Sequence, residues 1–151
     1  MESSILTMLI FFPLVGAIML LFAPKERTDL VKLISLATAI VTLLLSFWLY
    51  AIFETGVSGM QFIVDIPWVE SIGINYSLGI DGISLLLIVL TTILTVLAIL
   101  ASWNSITQNV RGYYFSMLLL ATGMIGVFCA LDFFLFYVFW EVMLVPMYFI
   151  I

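Results

Sequence analysis

The sequence has no histidine, a single cysteine and only four basic residues among its 151 positions. Without histidine, this chain alone lacks the usual ligand set of a haem, zinc or iron–sulfur site, so we expect neither metal nor cofactor on it. One cysteine excludes an internal disulfide, and Cys129 lies in an apolar run where a small packing residue is expected. The few basic residues form no basic patch, which excludes nucleic acid as a partner.

Charged residues of either sign are scarce, at 9% of the chain, whereas soluble domains average about 25%. Hydrophobic residues make up 66%, and the mean hydropathy is +1.37. These values predict an all-α polytopic membrane protein. The net charge of -5 indicates little about topology, because acidic residues contribute little to membrane orientation.

Five apolar runs are long enough to cross a hydrocarbon core of about 30 Å, which takes roughly 20 helical residues. They predict transmembrane helices at about residues 5–23, 31–53, 82–103, 112–131 and 133–151. We therefore expect two parts: three peripheral helices with a long loop in residues 1–103, and two further helices in residues 104–151.

Polar and small residues recur along these helices at spacings of three, four and seven, which places them in stripes. The second run carries Ser35, Thr38, Thr42 and Ser46. The third carries Ser84, Thr91, Thr95 and Ser102, and the fourth carries the small-residue face Thr122, Gly126 and Ala130. Such stripes favour helix–helix packing. The alternative for the first stripe is a water-filled groove.

The loop at residues 54–79 contains helix breakers, and residues 72–79 alternate apolar with polar side chains, which predicts a strand. Residues 61–66 form a weaker partner strand, joined to it through residues 67–70. A lone hairpin is marginal in water, so this one is expected to rest on the membrane domain or on another subunit. Asp81 then predicts the N-cap of the third helix, with a direct role in ion handling as the alternative.

The basic residues fall at the first–second and third–fourth helix connections: Lys25, Arg27, Lys32 and Arg111. The positive-inside rule places these connections in the cytoplasm and the N-terminus outside. Only Asp132 separates the fourth and fifth runs, which predicts a tight antiparallel helix pair with Asp132 at the surface between them.

The fifth run, FFLFYVFWEVMLVPMYFII, carries one carboxylate near its middle. Glu141 lies eight residues past Phe133, or about 12 Å along a helix axis. Because an acid near mid-membrane costs roughly 2.5–3.5 kcal/mol on insertion scales, Glu141 is the candidate functional residue.

Helical spacing places the phenols of Tyr137 and Tyr148 on the face of Glu141, as possible supporting groups. Pro146 cannot donate, so the carbonyl one turn before it is a free acceptor near the acid. One interpretation is a permanently protonated glutamate that bonds across helices. An ionised Glu141 instead needs a cation, which must come from another chain or from sequence beyond Ile151.

Three segments carry a family resemblance: FFLFYVFWEVMLVPMYFII, LGIDGISLLLIVLTTILTVLAILASW and IGVFCALD. Together they resemble the N-terminal part of the M-type (chain 4) antiporter-like subunit of respiratory complex I, the proton-translocating NADH:quinone oxidoreductase. The resemblance covers essentially the whole chain, and FWE-x-MLVPMYF is its specific part.

The resemblance implies a fourteen-helix antiporter-like fold with both ends outside and two inverted five-helix repeats beginning at the fourth helix. Residues 104–151 would be the first two helices of an incomplete proton-channel repeat. The hairpin would be the outer-surface element that ties neighbouring subunits together. Glu141 matches the family's membrane glutamate, which pairs with a lysine on the seventh helix to drive proton movement. Asp81 matches the DG-x-S segment, with no catalytic role.

The implied function is proton pumping coupled to quinone reduction elsewhere in the complex. NAD, FMN, iron–sulfur clusters and quinone are expected on other subunits. The expected partners are neighbouring antiporter-like subunits, the lipid bilayer, and the rest of the same subunit or a complementary chain, since the partner lysine and second repeat are absent. The location would be a bacterial plasma membrane or an organelle membrane. The alternatives are a related cation/proton antiporter or membrane hydrogenase, or a structural assembly element.

Overall fold

The computed structural model describes residues 4–150 and forms five long helices and one two-stranded sheet. The helices are α1 (Ile5–Phe22), α2 (Thr28–Ile52), α3 (Gly82–Ala101), α4 (Val110–Cys129) and α5 (Phe133–Ile150). Each is long and apolar enough to cross a membrane, which confirms the predicted fold class. The predicted boundaries differ by up to three residues, and Ile151 lies outside the described residues.

Helix α4 lies at the centre of the bundle and contacts each of the other four helices. Its sheet-proximal end packs into an apolar core with α1, α3 and α5, where Ile125 contributes a fully buried side chain. Its other end packs into a second core around Tyr114 and Leu118. The central position of α4 explains why it has fewer exposed large apolar side chains than α3.

Two glycines of α4 bring α5 unusually close. At Gly126, an added Cβ would overlap the ring of Phe139, which confirms the small-residue contact predicted there. At Gly123, an added Cβ would lie 2.9 Å from the backbone nitrogen of Met143. The sequence pattern did not single out Gly123. Its contact is nevertheless the less tolerant of the two, because backbone atoms of Met143 cannot rotate away as a side chain can.

The hydroxyl stripe of α2 is buried against α1 and α3. Ser35, Thr38 and Thr42 donate to carbonyls one turn back on their own helix, at 2.7–2.8 Å. Ser46 donates to the Leu43 carbonyl at 2.7 Å, and its hydroxyl oxygen also lies 2.8 Å from that of Thr92 on α3. The void that Thr42 and Thr92 line leaves no room for a water molecule, which favours helix packing over a wet groove at that point of the stripe.

The stripe predicted on α3 is only partly buried. Thr91 is buried and donates to the Leu87 carbonyl, but the cross-helix bond to α2 comes from Thr92, which the spacing did not indicate. Ser102 bonds to the Tyr113 hydroxyl at 2.7 Å and so links α3 to α4.

The loop after α2 folds into an antiparallel hairpin of β1 (Gln61–Val69) and β2 (Ile74–Ile80). The predicted turn at residues 67–70 is wrong: a short 3-10 turn, Glu70–Ile72, connects the strands. Gly73 closes it at φ +71, a left-handed conformation that glycine adopts without steric cost. Pro67 lies within β1 beside a register shift, where a missing N–H is tolerated.

Hydrogen bonds dock the hairpin on the junction between α4 and α5. The Leu131 N–H donates to the Ser77 carbonyl at 2.8 Å, and the Asn75 N–H donates to Asp132 Oδ2 at 3.3 Å. The Tyr76 hydroxyl lies 2.9 Å from Thr7 Oγ1 of α1. The prediction that the hairpin rests on the membrane domain is therefore confirmed.

The basic residues gather at the other end of the bundle. Arg111 Nη1 donates to the Ala23 and Leu21 carbonyls at 3.1 and 3.3 Å, which satisfies the C-terminal end of α1. Lys32 Nζ lies 5.8 Å from the ring centroid of Trp103. The bundle thus has one basic end and one hairpin end.

The glycine contact predicts that Gly123→Ala destabilises the subunit by about 1–3 kcal/mol, because the new methyl group must displace the Met143 backbone. Denaturant-induced unfolding of the detergent-solubilised protein measures the difference. Gly82→Ala is the control, because an added Cβ there meets nothing within 4 Å. Equal stabilities for the two variants would contradict the close packing of α4 on α5.

Candidate functional site

Helix α5 packs on the bundle through one side only. Its buried residues are Leu135, Phe139 and Pro146, which recur at spacings of four and seven. Glu141 is exposed, and at about 100° per residue it lies roughly 200° around the helix from Phe139. The carboxylate therefore points away from α4.

The two predicted phenols share the outer side of α5 with Glu141. Tyr137 is 53% exposed and lies one helical turn before Glu141 on the same face. Tyr148 is 78% exposed and packs edge-on against Phe149, with 5.6 Å between ring centroids. It lies about 10 Å along the axis from Glu141, so of the two phenols only Tyr137 lies within one turn of the acid.

Pro146 lies on the inner side of α5, roughly 140° around the helix from Glu141. It is buried, and α5 continues through it to Ile150. Because Pro146 has no N–H, the Val142 carbonyl lacks its usual helical donor. Val142 lines a groove on the α1 side of α5. The proline therefore shapes the packed side of the helix, and the structure does not place it beside the carboxylate.

Within residues 4–150, no basic side chain approaches Glu141. Arg111 is bonded to the α1 carbonyls and Lys32 lies over Trp103, while Lys25 and Arg27 belong to the turn between α1 and α2. All four lie at the basic end, whereas Glu141 sits midway along α5. A cationic partner for Glu141 must therefore come from polypeptide other than these residues.

Asp81 is the N-cap of α3. Its Oδ1 accepts from the Ser84 N–H at 2.8 Å, and this bond lowers the pKa of the carboxyl below its ordinary value of 3.8. The carboxylate thus accepts from a backbone N–H that has no partner within the first turn of the helix. It accounts for the position of Asp81 without a ligand.

Asp132 caps α5 in a similar way, which the sequence analysis did not predict. Its Oδ1 accepts from the Phe134 and Leu135 N–H groups at 2.9 and 3.2 Å. The Leu135 N–H is the main cause of the lowered pKa of Asp132, with Asn75 adding to it. An aspartate directly before an apolar run is an N-cap signal that could have indicated this role.

An apolar groove of about 640 Å³ runs between α1, α4, α5 and the hairpin. Thr122 Oγ1 is buried there without a hydrogen-bond partner among the described residues. Glu141 is not part of its lining. In the part of the chain that the structure describes, no three histidine, cysteine or acidic residues come together as metal ligands.

The family model described as "NADH-ubiquinone oxidoreductase chain 4, amino terminus" matches residues 5–129, which is most of the chain. The chain belongs to this family. The resemblance to the N-terminal part of the chain 4 subunit is thereby confirmed. The matched region ends with α4, so the family model does not itself cover Glu141.

Several chain 4 relatives align over nearly the whole chain. It is 41% identical to NADH-ubiquinone oxidoreductase chain 4 of Arabidopsis thaliana over 143 residues, 95% of this chain and 29% of that protein. It is 40% identical to NADH-quinone oxidoreductase subunit M of Escherichia coli (strain K12) over 153 residues, 97% of this chain and 30% of that protein. The chain thus spans less than a third of the length of these relatives.

The fold is shared with a chain of the membrane-bound sulfane sulfur reductase (MBS), an archaeal respiratory membrane complex. The TM-score is 0.74 at 19% identity, and the match covers 99% of this chain and 22% of the other. At this identity the likeness shows the fold alone.

The two caps predict that the stability of the fold depends on pH in the acidic range. Because folding lowers both aspartate pKa values, the caps stabilise the fold fully above the ordinary pKa of 3.8 and lose that effect as the pH falls from there through the lowered pKa values of the folded state. In the double variant Asp81→Asn and Asp132→Asn, the unfolding temperature should therefore fall less between about pH 6 and pH 3.

The control for the cap prediction is Asp65→Asn, which changes an exposed carboxylate of β1. Thermal unfolding of the solubilised protein, followed by circular dichroism, measures all three proteins. A double variant as acid-sensitive as the parent would contradict the capping role.

Proposed function

We propose that this chain is the N-terminal part of a proton-translocating membrane subunit of an NADH:quinone oxidoreductase, in which Glu141 pairs with a lysine supplied by other polypeptide. The observation that supports this most is the position of Glu141, exposed midway along a spanning helix and on the side opposite α4. A carboxylate left facing lipid would cost roughly 2.5–3.5 kcal/mol on insertion scales. A cationic partner removes much of that cost.

The proposed mechanism is an electrostatic switch. Low-dielectric surroundings favour an uncharged acid, whereas a nearby ammonium group favours the carboxylate. Moving the lysine toward or away from Glu141 would therefore change whether the acid holds a proton. Quinone reduction elsewhere in the complex would supply the free energy for that movement.

The proposal assigns the redox groups to other subunits, which would bind NAD, FMN, iron–sulfur clusters and quinone. Side chains at least half exposed on the hairpin and its turn, Ile63, Ile66, Trp68 and Ile72, suit a contact with a neighbouring antiporter-like subunit. The exposed leucines of α3 suit contact with lipid: Leu86, Leu90, Leu94 and Leu97.

In the proposed orientation, the basic end faces the cytoplasm or the equivalent compartment, and the hairpin end faces outside, in a bacterial plasma membrane or an organelle membrane. Residues 1–103 would then form the peripheral part of the subunit, and residues 104–151 would begin the proton-channel repeat. The clustering of all four basic residues at one end supports this orientation.

The fold alone does not separate this function from that of a related antiporter or membrane hydrogenase, because the sulfane sulfur reductase complex contains a similar chain. The NADH-oxidoreductase relatives at 40–41% identity favour the proposed function. The experiment below distinguishes the proposed function from a purely structural role of Glu141 in assembly.

The switch predicts that Glu141→Gln removes the protons carried by this subunit, because glutamine keeps the shape but cannot ionise. The ratio of protons pumped to NADH oxidised, measured with the assembled complex in proteoliposomes, should fall. Glu70→Gln, in the hairpin turn outside the spanning helices, should leave the ratio unchanged.

Full pumping by a normally assembled Glu141→Gln complex would contradict the proposed function. If Glu141→Leu then also lowered the amount of subunit retained in the complex, the result would support the assembly role instead.

A further inference from the structure

One carboxylate joins the hairpin to the start of α5. Asp132 Oδ1 accepts from the Phe134 and Leu135 N–H groups at 2.9 and 3.2 Å, and Oδ2 accepts from the Asn75 N–H of β2 at 3.3 Å. An ionised aspartate has two acceptor oxygens, so one side chain can cap the helix and hold the hairpin together. In the part of the chain that the structure describes, Asp81 differs, because its hydrogen bond stays within the start of α3.

Further contacts between the hairpin and α5 surround Asp132. Two positions before it, Ala130 pairs with Leu78 of β2 in an isolated antiparallel bridge. Two positions after it, the Phe134 ring meets the Trp68 ring of β1 edge-on, with 6.0 Å between centroids. The hairpin therefore contacts both the turn before α5 and the first turn of α5, and a displacement of the hairpin would displace the start of that helix.

The anchor at Asp132 bears on the height of Glu141 in the membrane. Glu141 lies nine residues after Asp132, or about 13.5 Å along the axis of α5. The packing on α4 sets the rotation of α5, whereas the directional hydrogen bonds at Asp132 set where the helix begins. Because an ion pair needs its atoms within about 4 Å, a shift of one helical position, about 1.5 Å, would change what the carboxylate can pair with.

We propose that Asp132 is a positioning residue for Glu141, because it bonds the hairpin and α5 at once and so makes the height of Glu141 depend on where a neighbouring subunit holds the hairpin. Trp68 is 51% exposed, so the side chain that touches Phe134 is also available to that subunit. The effect on pumping rests on the proposed function, whereas the link between the hairpin and α5 does not.

The variant Asp132→Asn separates the link from the cap. Asparagine caps a helix about as well as aspartate, but its side chain has one acceptor oxygen and a donor nitrogen. With the oxygen engaged in the cap, the nitrogen faces the Asn75 N–H and cannot accept from it. Asp81→Asn is the matched control, because it makes the same change at a cap that does not bond to the hairpin.

Hydrogen–deuterium exchange of the assembled complex in lipid measures the link itself. The Asn75 amide should exchange faster in Asp132→Asn and at the parent rate in Asp81→Asn. The Phe134 and Leu135 amides should keep their protection in Asp132→Asn, because the cap remains. An unchanged exchange rate of the Asn75 amide in Asp132→Asn would overturn the proposal.

The ratio of protons pumped to NADH oxidised measures the consequence. It should fall in Asp132→Asn and stay at the parent value in Asp81→Asn, whereas a role in capping alone predicts the same ratio for both. The infrared band of the Glu141 carboxyl group, assigned as the band lost in Glu141→Gln, should shift in Asp132→Asn, because its cationic partner lies at a different distance. Equal ratios for the two variants, or an unmoved band, would overturn the positioning role.

An assembly role is tested with a second variant, Asp132→Ser, which also keeps a capping oxygen and lacks a second acceptor. Loss of the subunit from the complex in both Asp132→Asn and Asp132→Ser would assign Asp132 to assembly and overturn the proposal.

The outcomes also separate this proposal from the function on which it rests. Loss of pumping in Glu141→Gln together with full pumping in Asp132→Asn would overturn the role of Asp132 alone. Full pumping in Glu141→Gln would overturn the function of Glu141, and with it any positioning role, even where the exchange of the Asn75 amide shows the link.

Discussion

The close contact between α4 and α5 sets the direction in which Glu141 points. Gly123 lets the α4 surface approach the Met143 backbone, and Gly126 accommodates the Phe139 ring. This contact fixes the rotation of α5 about its own axis, since a helix that packs through Phe139 must carry Glu141 on its far side. A small change at two glycines would therefore alter what the carboxylate can reach.

The two ends of the bundle reinforce that orientation. At the hairpin end, Asp132 caps α5 and accepts from Asn75 of β2, so one side chain ties the helix start to the hairpin. At the basic end, Arg111 satisfies the last carbonyls of α1 and is held there. The basic side chains of the described residues thus lie at one end of the bundle, away from Glu141, which sits midway along α5.

Much of this architecture could be predicted from the sequence, because the physical signals are local. Apolar runs of spanning length indicated all five helices, and an aspartate directly before a helix indicated the role of Asp81. The hairpin turn was misplaced because Pro67 reads as a breaker, whereas Gly73 supplies the left-handed residue that closes the turn. Gly123 and Thr92 were missed because their roles depend on which helix lies opposite, and spacing along one helix does not show that.

The candidate site, too, was predicted in part from the sequence and in part needed the structure. Helical spacing placed Tyr137, Glu141 and Tyr148 on one face, but only the three-dimensional packing showed that this face is the one turned away from α4. Spacing alone also predicted Tyr137 and Tyr148 as equally good supporting groups for Glu141. Their distances along the axis separate them, because Tyr137 lies one turn from Glu141, whereas Tyr148 lies about 10 Å away and packs against Phe149. Pro146 looked close to the acid in sequence and lies on the opposite, buried side.

The central claim is that Glu141 faces a cation from polypeptide other than the described residues. The most direct measurement is an experimental structure of the whole membrane complex that contains this chain, at a resolution that shows side chains. The account predicts a lysine ammonium within about 4 Å of the Glu141 carboxylate, on the side of α5 opposite α4. A Glu141 side chain that faces lipid or an apolar helix surface in the assembled complex would contradict it.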